Sequence, residues 1–345
     1  MRDRLAEHVW FGTGATARAA RAALAPLGWL YAGVGGLRNA LYDVGALRTR
    51  ALVLPAVSIG NLTVGGTGKT PLAAEVARRL QAAGAHPAIV LRGYGGDEPL
   101  VHARLNPGMA VVATPDRVAG ALEARNRGAD VVVLDDAFQH RRAARVADIV
   151  LVSADRWAVD DRRALPAGPW REPLRSLHRA ALVVVTRKAA DDATVAAAVA
   201  ACRAAADAPV AVARLAPGGL RAATGDETQP LDALRGARVL AVAAIGDPAA
   251  FLRQLERLGA RVTLRIFADH HEFTSAEVAA LAGEGASHDV VLCTLKDAVK
   301  LAPHWPRIAP ALWYVTQSVS FEAGELELDR VLDRLLTARH PTPTY

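Results

Sequence analysis

The feature that most constrains this chain is the run Thr63-Val64-Gly65-Gly66-Thr67-Gly68-Lys69-Thr70. It follows an apolar stretch at residues 53–59 that reads as a buried strand, and it opens a helical pattern over residues 71–83. Pro71 suits the first turn of such a helix, where its missing N–H has no use. Strand, glycine-rich turn and helix in that order are the setting of a phosphate-binding loop. Gly65, Gly66 and Gly68 let backbone N–H groups face phosphates at a helix N-terminus. Lys69 would reach the β- and γ-phosphates of ATP, and the Thr70 hydroxyl would ligate Mg2+. The run departs from the common pattern at Thr63, where a first glycine is usual.

A second signal is Val131-Val132-Val133-Leu134-Asp135-Asp136, an apolar strand ending in two carboxylates. Adjacent acids at a strand end are costly without a cation nearby, and in phosphate-loop proteins such an aspartate belongs to the magnesium shell. Further strand-like runs fall at residues 88–91, 110–113, 148–152 and 181–186, with alanine-rich helical stretches at 117–127 and 189–206. This alternation predicts an α/β fold, a mostly parallel sheet of P-loop NTPase type with helices on both faces. The rhythm stops over residues 209–230, which read as a linker, and restarts from 231 in a smaller C-terminal α/β domain. A length of 345 residues suits two domains. The expected division is an N-terminal segment 1–50, a core 51–208, the linker, and a domain 231–345.

Charge singles out the N-terminus. Residues 1–50 hold seven arginines against Asp3, Glu7 and Asp43, so +4 of the formal +6 sits there. Between Arg21 and Arg38 the chain is uncharged and carries Trp29, Leu30, Tyr31 and Val34, broken by Pro26 and four glycines. A spanning helix needs about 20 apolar residues, so this run is too short and too interrupted to cross a membrane. By itself it fits an interfacial segment flanked by arginines or a helix packed on the protein's own core. No aromatic-interleaved basic surface supports nucleic-acid binding. The two cysteines, Cys202 and Cys293, lie far apart and suit a reducing compartment, with neither a disulfide framework nor a zinc site.

Further stretches narrow the reading. They are Ser58-Ile59-Gly60-Asn61-Leu62-Thr63, Leu91-Arg92-Gly93-Tyr94-Gly95-Gly96 and Asp135-Asp136-Ala137-Phe138-Gln139-His140. Beyond them lie Leu165-Pro166-Ala167-Gly168-Pro169-Trp170-Arg171-Glu172-Pro173, Asp269-His270-His271 and Thr294-Leu295-Lys296-Asp297-Ala298-Val299-Lys300. This ordered set closely resembles the tetraacyldisaccharide 4'-kinase family, the lipid A 4'-kinases of Gram-negative bacteria. Departures are Ala137 for a common glycine, Leu295 for a common glutamate, and a short segment before Asp97.

The resemblance implies transfer of the γ-phosphate of ATP to the 4'-hydroxyl of a tetraacylated glucosamine disaccharide 1-phosphate, giving lipid IVA in lipid A biosynthesis. It implies a peripheral or monotopic enzyme at the cytoplasmic face of the inner membrane, with no obligate protein partner. The N-terminal helix would dock on the inner leaflet. The two domains would be joined by a two-stranded linker with the nucleotide between them. Position by position, residues 63–70 would bind the nucleotide, and Asp97 would be the base toward the sugar hydroxyl. His270, from the other domain, would orient that base, and Arg171 would stabilise the transferred phosphoryl. Thr70, Asp135, Asp136 and Glu172 would form the magnesium shell, and Arg92, Tyr94 and His140 would line the substrate site. A phosphate-loop kinase acting on a soluble metabolite and a nucleotide-dependent switch are the competing classes.

Overall fold

The computed structural model describes residues 2–93, 96–157, 161–245, 248–268 and 271–339, without the side chains of residues 2–5 and 7. The chain forms two compact units. The larger comprises Leu5–Gly93, Leu105–Leu215 and Val319–Tyr345, and the smaller Met1–Arg4, Tyr94–Arg104 and Ala216–Ser318.

The sheet of the larger unit is parallel. In spatial order its strands are Val210–Ala222, Leu182–Arg187, Ala147–Ser153, Ala56–Asn61, Val131–Asp135, Pro87–Leu91 and Ala110–Ala113. Both faces of the five strands from Leu182–Arg187 to Pro87–Leu91 are covered, which is why the sequence shows continuous apolar runs there rather than alternation. On one face Val57, Ile59, Val133 and Ile149 pack against Leu72, Val76 and Leu80 of the helix Lys69–Ala82. On the other, Ala56, Val90, Val132 and Leu134 pack against Ala121 and Ala124 of the helix Arg117–Asn126. The register decides where the chemistry lies. Ile59 is opposite Asp135, so the ends of two central strands deliver the glycine-rich loop and the double aspartate to the same edge. Ligands of open α/β sheets bind at that carboxyl edge.

Four parallel strands build the smaller unit, in the order Arg261–Ile266, Arg238–Ala243, Val290–Cys293 and Leu312–Ala323. Their faces bury Leu240, Val242 and Tyr314 with Val278 and Leu301, and Val239 and Trp313 with Phe251 and Leu255.

These units follow different boundaries from those expected on composition. The stretch at 209–230 contains the thirteen-residue strand Val210–Ala222, and Leu220 pairs antiparallel with Gln229. Its glycines fit close approaches: a Cβ on Gly218 would lie 3.0 Å from the Thr316 hydroxyl. The helix Glu325–Thr337 belongs with the larger unit, because Leu328, Val331, Leu332 and Leu335 complete the cluster around Val57 and Leu72. Arg79 fastens it by pairing with Glu325 and Asp329. Conversely, the helix Asp97–Leu105 counts mostly with the smaller unit. Its Arg104 donates to the carbonyls of Ala222 and Gly225, both at 2.6 Å, and lies over the Tyr314 ring.

The N-terminus forms the helices Arg2–Phe11 and Ala15–Asp43, the second continuing through Pro26. Its inner side lies against residues 164–167, where a Cβ on Gly28 would stand 3.2 Å from the Ala164 carbonyl oxygen. On its outer side Leu27, Trp29, Leu30, Val34 and Leu37 are exposed, Trp29 by 75%. Among the described residues no helix is long and apolar enough to cross a membrane.

Candidate active site

The glycine-rich loop is pinned from beneath. Asn61, fully buried at the end of its strand, donates through Nδ2 to the Thr67 hydroxyl at 2.9 Å. Thr186 donates its hydroxyl to the Thr67 carbonyl at 2.9 Å from a second strand in the same sheet. Val64 N–H donates to the Pro169 carbonyl at 2.8 Å, and Thr63 bridges Trp170. Gly68 has φ +92°, and a Cβ there would stand 2.3 Å from Leu215 Cδ1. Only glycine meets both demands without strain. Gly68 is also the N-cap of Lys69–Ala82 and offers no side-chain acceptor. The first-turn N–H groups of that helix thus lack a side-chain cap and face the side on which an anion would bind.

Lys69 Nζ lies 3.7 Å from Asp136 Oδ1, and Arg171 donates to both oxygens of Asp136 at 2.9 and 3.1 Å. Burial pushes the Asp136 carboxyl up, but the charges of Lys69 and Arg171 hold it below the ordinary carboxylate range. Asp136 has φ +49°, a left-handed conformation that aspartate tolerates better than most residues. Lys69, Arg171 and the buried Arg117 stand against Asp135 and Asp136 beside an uncapped helix start, which leaves excess positive charge for a polyphosphate. Thr70 and Asp136 supply one hydroxyl and one carboxylate, the small hard-donor set with which Mg2+ sits on nucleotide phosphates. Among the described residues no three His, Cys, Asp or Glu side chains gather as a metal site. Glu172 is not part of such a carboxylate cluster with Asp135 and Asp136. Its Oε2 accepts from Arg179 at 2.5 Å and from Asn39 at 2.8 Å, and that guanidinium compensates a carboxylate only 6% exposed.

Other expected residues divide between the units. Arg92 is exposed just past the strand Pro87–Leu91, at the sheet edge that carries Asp136. His140 is partly buried. Burial, then the charges of Arg117 and Arg145, lower its pKa, so it is neutral near pH 7, and its Nε2 makes no hydrogen bond among the described residues. Asp97 is buried as the first residue of its helix, in the smaller unit, rather than in a solvated turn. Tyr94 and His270 lie outside the described residues.

Reading the sequence missed Arg117, Gln139 and Asn61. Arg117 is 3% exposed and donates to the Asp135 carbonyl at 3.4 Å. Gln139 donates to the Asn61 carbonyl at 2.9 Å and accepts from Arg171 at 3.5 Å. A signal for Arg117 was present: Asp116 caps the helix that Arg117 starts, directly after a strand of the same sheet. A cavity of ≈530 Å³ lies under the N-terminal helix, lined by Gly28, Trp29, Ala32, Asn39, Trp170 and Arg171 among others.

The profile of one family, described as tetraacyldisaccharide-1-P 4'-kinase, matches residues 20–337. The chain belongs to that family. A tetraacyldisaccharide 4'-kinase of Anaeromyxobacter dehalogenans (strain 2CP-C) is 43% identical over 295 residues, 77% of this chain and 78% of the relative. One of Geobacter sulfurreducens is 39% identical over 347 residues, covering 92% of this chain and 96% of its own. Among solved structures, the "apo" form of LpxK from Aquifex aeolicus in complex with ATP superposes with a TM-score of 0.72 at 28% identity. That match covers 91% of this chain and 99% of the other. Tetraacyldisaccharide-1-P 4'-kinases thus share this fold, the mostly parallel sheet with helices that the alternating sequence predicts.

Proposed function

We propose that this chain uses ATP to phosphorylate the 4'-hydroxyl of tetraacyldisaccharide 1-phosphate, giving lipid IVA, the family's step in lipid A biosynthesis. The observation that carries this reading is the convergence of Lys69 and Arg171 on Asp136 beside the uncapped start of Lys69–Ala82. Residues 63–70 hold the phosphates through backbone N–H groups, and Lys69 contacts the β- and γ-phosphates. Arg171 turns from Asp136 to the charge on the transferred phosphoryl group. Thr70 and Asp136, with Asp135 beside them, would hold Mg2+, which when bound would neutralise phosphate charge. Asp97 accepts the proton of the sugar hydroxyl, a poor nucleophile without a base. His270 orients Asp97, and Arg92, Tyr94 and His140 line the acceptor side. Most of the rate comes from positioning and charge stabilisation, as in other phosphoryl transfers.

The outer face of Ala15–Asp43 docks on the inner leaflet, its apolar residues entering the headgroup boundary and flanking arginines meeting anionic lipid. The cavity beneath that helix admits part of the lipid's acyl portion.

The test is transfer from labelled ATP to tetraacyldisaccharide 1-phosphate in mixed micelles. Wild type is expected to transfer phosphate, and Asp97→Asn to lose roughly 10²-fold in kcat, the usual contribution of a positioned base. Transfer that survives Asp97→Asn would reject Asp97 as the base. Folded, ATP-binding wild type without transfer would reject the acceptor.

A further inference from the structure

Asparagine is a poor residue for a helix interior, because its side chain competes for backbone partners. Asn39 nevertheless sits near the end of Ala15–Asp43, and its side chain turns inward. Its Nδ2 donates to Glu172 Oε2 at 2.8 Å, the oxygen that Arg179 also reaches. Glu172 follows Arg171 directly. The N–H groups of both residues point at the Leu62 carbonyl, at 2.7 Å from Arg171 and 3.3 Å from Glu172. With Val64 on Pro169 and Thr63 on Trp170, residues 169–172 form a strip laid along the entrance to the phosphate loop. The strip is therefore held on one side by the loop and on the other by the N-terminal helix.

A second set of bonds ties the same helical turns to the segment 139–141, whose Gln139 side chain meets Arg171. Arg141 donates to the Asn39 carbonyl at 2.8 Å and to Asp43 at 2.6 Å. Arg38 donates to the Gln139 carbonyl at 3.0 Å, and the Gln139 side chain accepts from Arg171.

We infer that Asn39 is a positioning residue for phosphoryl transfer, acting through Glu172 on Arg171. It touches no reacting group. Its amide fixes the direction of the Glu172 carboxylate, and the short peptide between Glu172 and Arg171 passes that constraint to the guanidinium at Asp136. Without the amide, Glu172 swings toward Arg179 alone and Arg171 loses its aim; misplacement by about 1 Å can cost up to roughly 10²-fold in rate. The inference rests on Arg171 serving the transferred phosphoryl.

The experiment is a double-mutant cycle in the full chain, reading kcat and KM for ATP in micelles for wild type, Asn39→Ala, Arg171→Ala and the double variant. Asn39→Ala is expected to lower kcat about tenfold with KM for ATP changed less than about twofold. In the Arg171→Ala background the same change is expected to lower kcat no further. Alanine is the better helix former, so Tm is expected to hold, which separates positioning from unfolding. Asn39→Gln, which keeps an amide donor, is expected to recover part of the rate. Unchanged kcat in Asn39→Ala, or the same fall in both backgrounds, overturns the inference. If Arg171→Ala keeps full kcat, the role proposed for Arg171 fails and the inference with it, an outcome distinct from a failure at Asn39 alone.

Discussion

The phosphate loop and the outer face of the N-terminal helix lie in one compact unit and are built on opposite terms. In the loop, Thr67 alone engages two side chains from two strands, and Gly68 is the only residue its site admits. On the helix face, Leu30, Val34 and Leu37 are exposed by 64, 60 and 63%. Polar precision marks the region that meets phosphate. Unburied apolar surface marks the region proposed to meet lipid, since contiguous patches of that kind are interaction sites more often than accidents. Substitutions in the loop should therefore cost stability and chemistry together, and substitutions on the helix face should cost only localisation.

Four measurements break or sharpen that contrast. The largest effect is expected for Lys69→Ala, roughly a 10³-fold loss of kcat in micelles, since a charge aimed at the transition state is removed. Vesicle binding should stay near that of wild type, while Tm should fall slightly with the loss of the Lys69–Asp136 pair. Next, Leu30→Ser combined with Leu37→Ser should weaken co-sedimentation with anionic vesicles by about 10²-fold, from roughly 3 kcal/mol of lost apolar burial in the interface. Its Tm should barely move, and micellar kcat should persist. A large fall in Tm would show that this face packs on protein, and the contrast would collapse. Third, Gly68→Ala should destabilise by about 2 kcal/mol, because a side chain is forced into the left-handed region. A denaturation midpoint equal to wild type would mean that the loop tolerates another conformation.

The smallest effect concerns acid. Because Asp136 titrates below the ordinary carboxylate range, its contribution is complete above about pH 4, the unfolded value, and is lost as pH falls through the lower folded value. Melting curves between pH 6 and 3 should therefore fall more steeply for wild type than for Asp136→Asn. Parallel curves would mean that Lys69 and Arg171 do not stabilise this carboxylate.

Local patterns made the loop and the double aspartate legible, since strand, glycines and helix are neighbours in the chain. The strands Ala110–Ala113 and Arg261–Ile266 fall where their apolar pattern places them, and most others shift by only a few residues. What escaped was tertiary. Nothing near Glu172 in sequence announces Asn39, which is 133 positions away. The strand Val210–Ala222 was hidden by Pro217, Gly218 and Gly219, residues that usually punctuate loops but here admit Thr316 and Gln229. The helix Asp97–Leu105 follows Gly93, Gly95 and Gly96 in sequence and carries Pro99 in its first turn, a turn-like composition, and its place was set by Arg104 gripping a loop over a hundred residues away.

That grip bears on how such a chain can be inherited. The unit that owns Asp97 is written in separate pieces, one of them a short insert between two strands of the other unit. A recombination event near residue 209 would carry off Ala222 and Gly225 and leave the Asp97 helix without its anchor. The insert that bears the proposed base and the distant segment that anchors it are therefore not independent modules, although the chain separates them by more than a hundred residues. They have to be passed on, and altered, together.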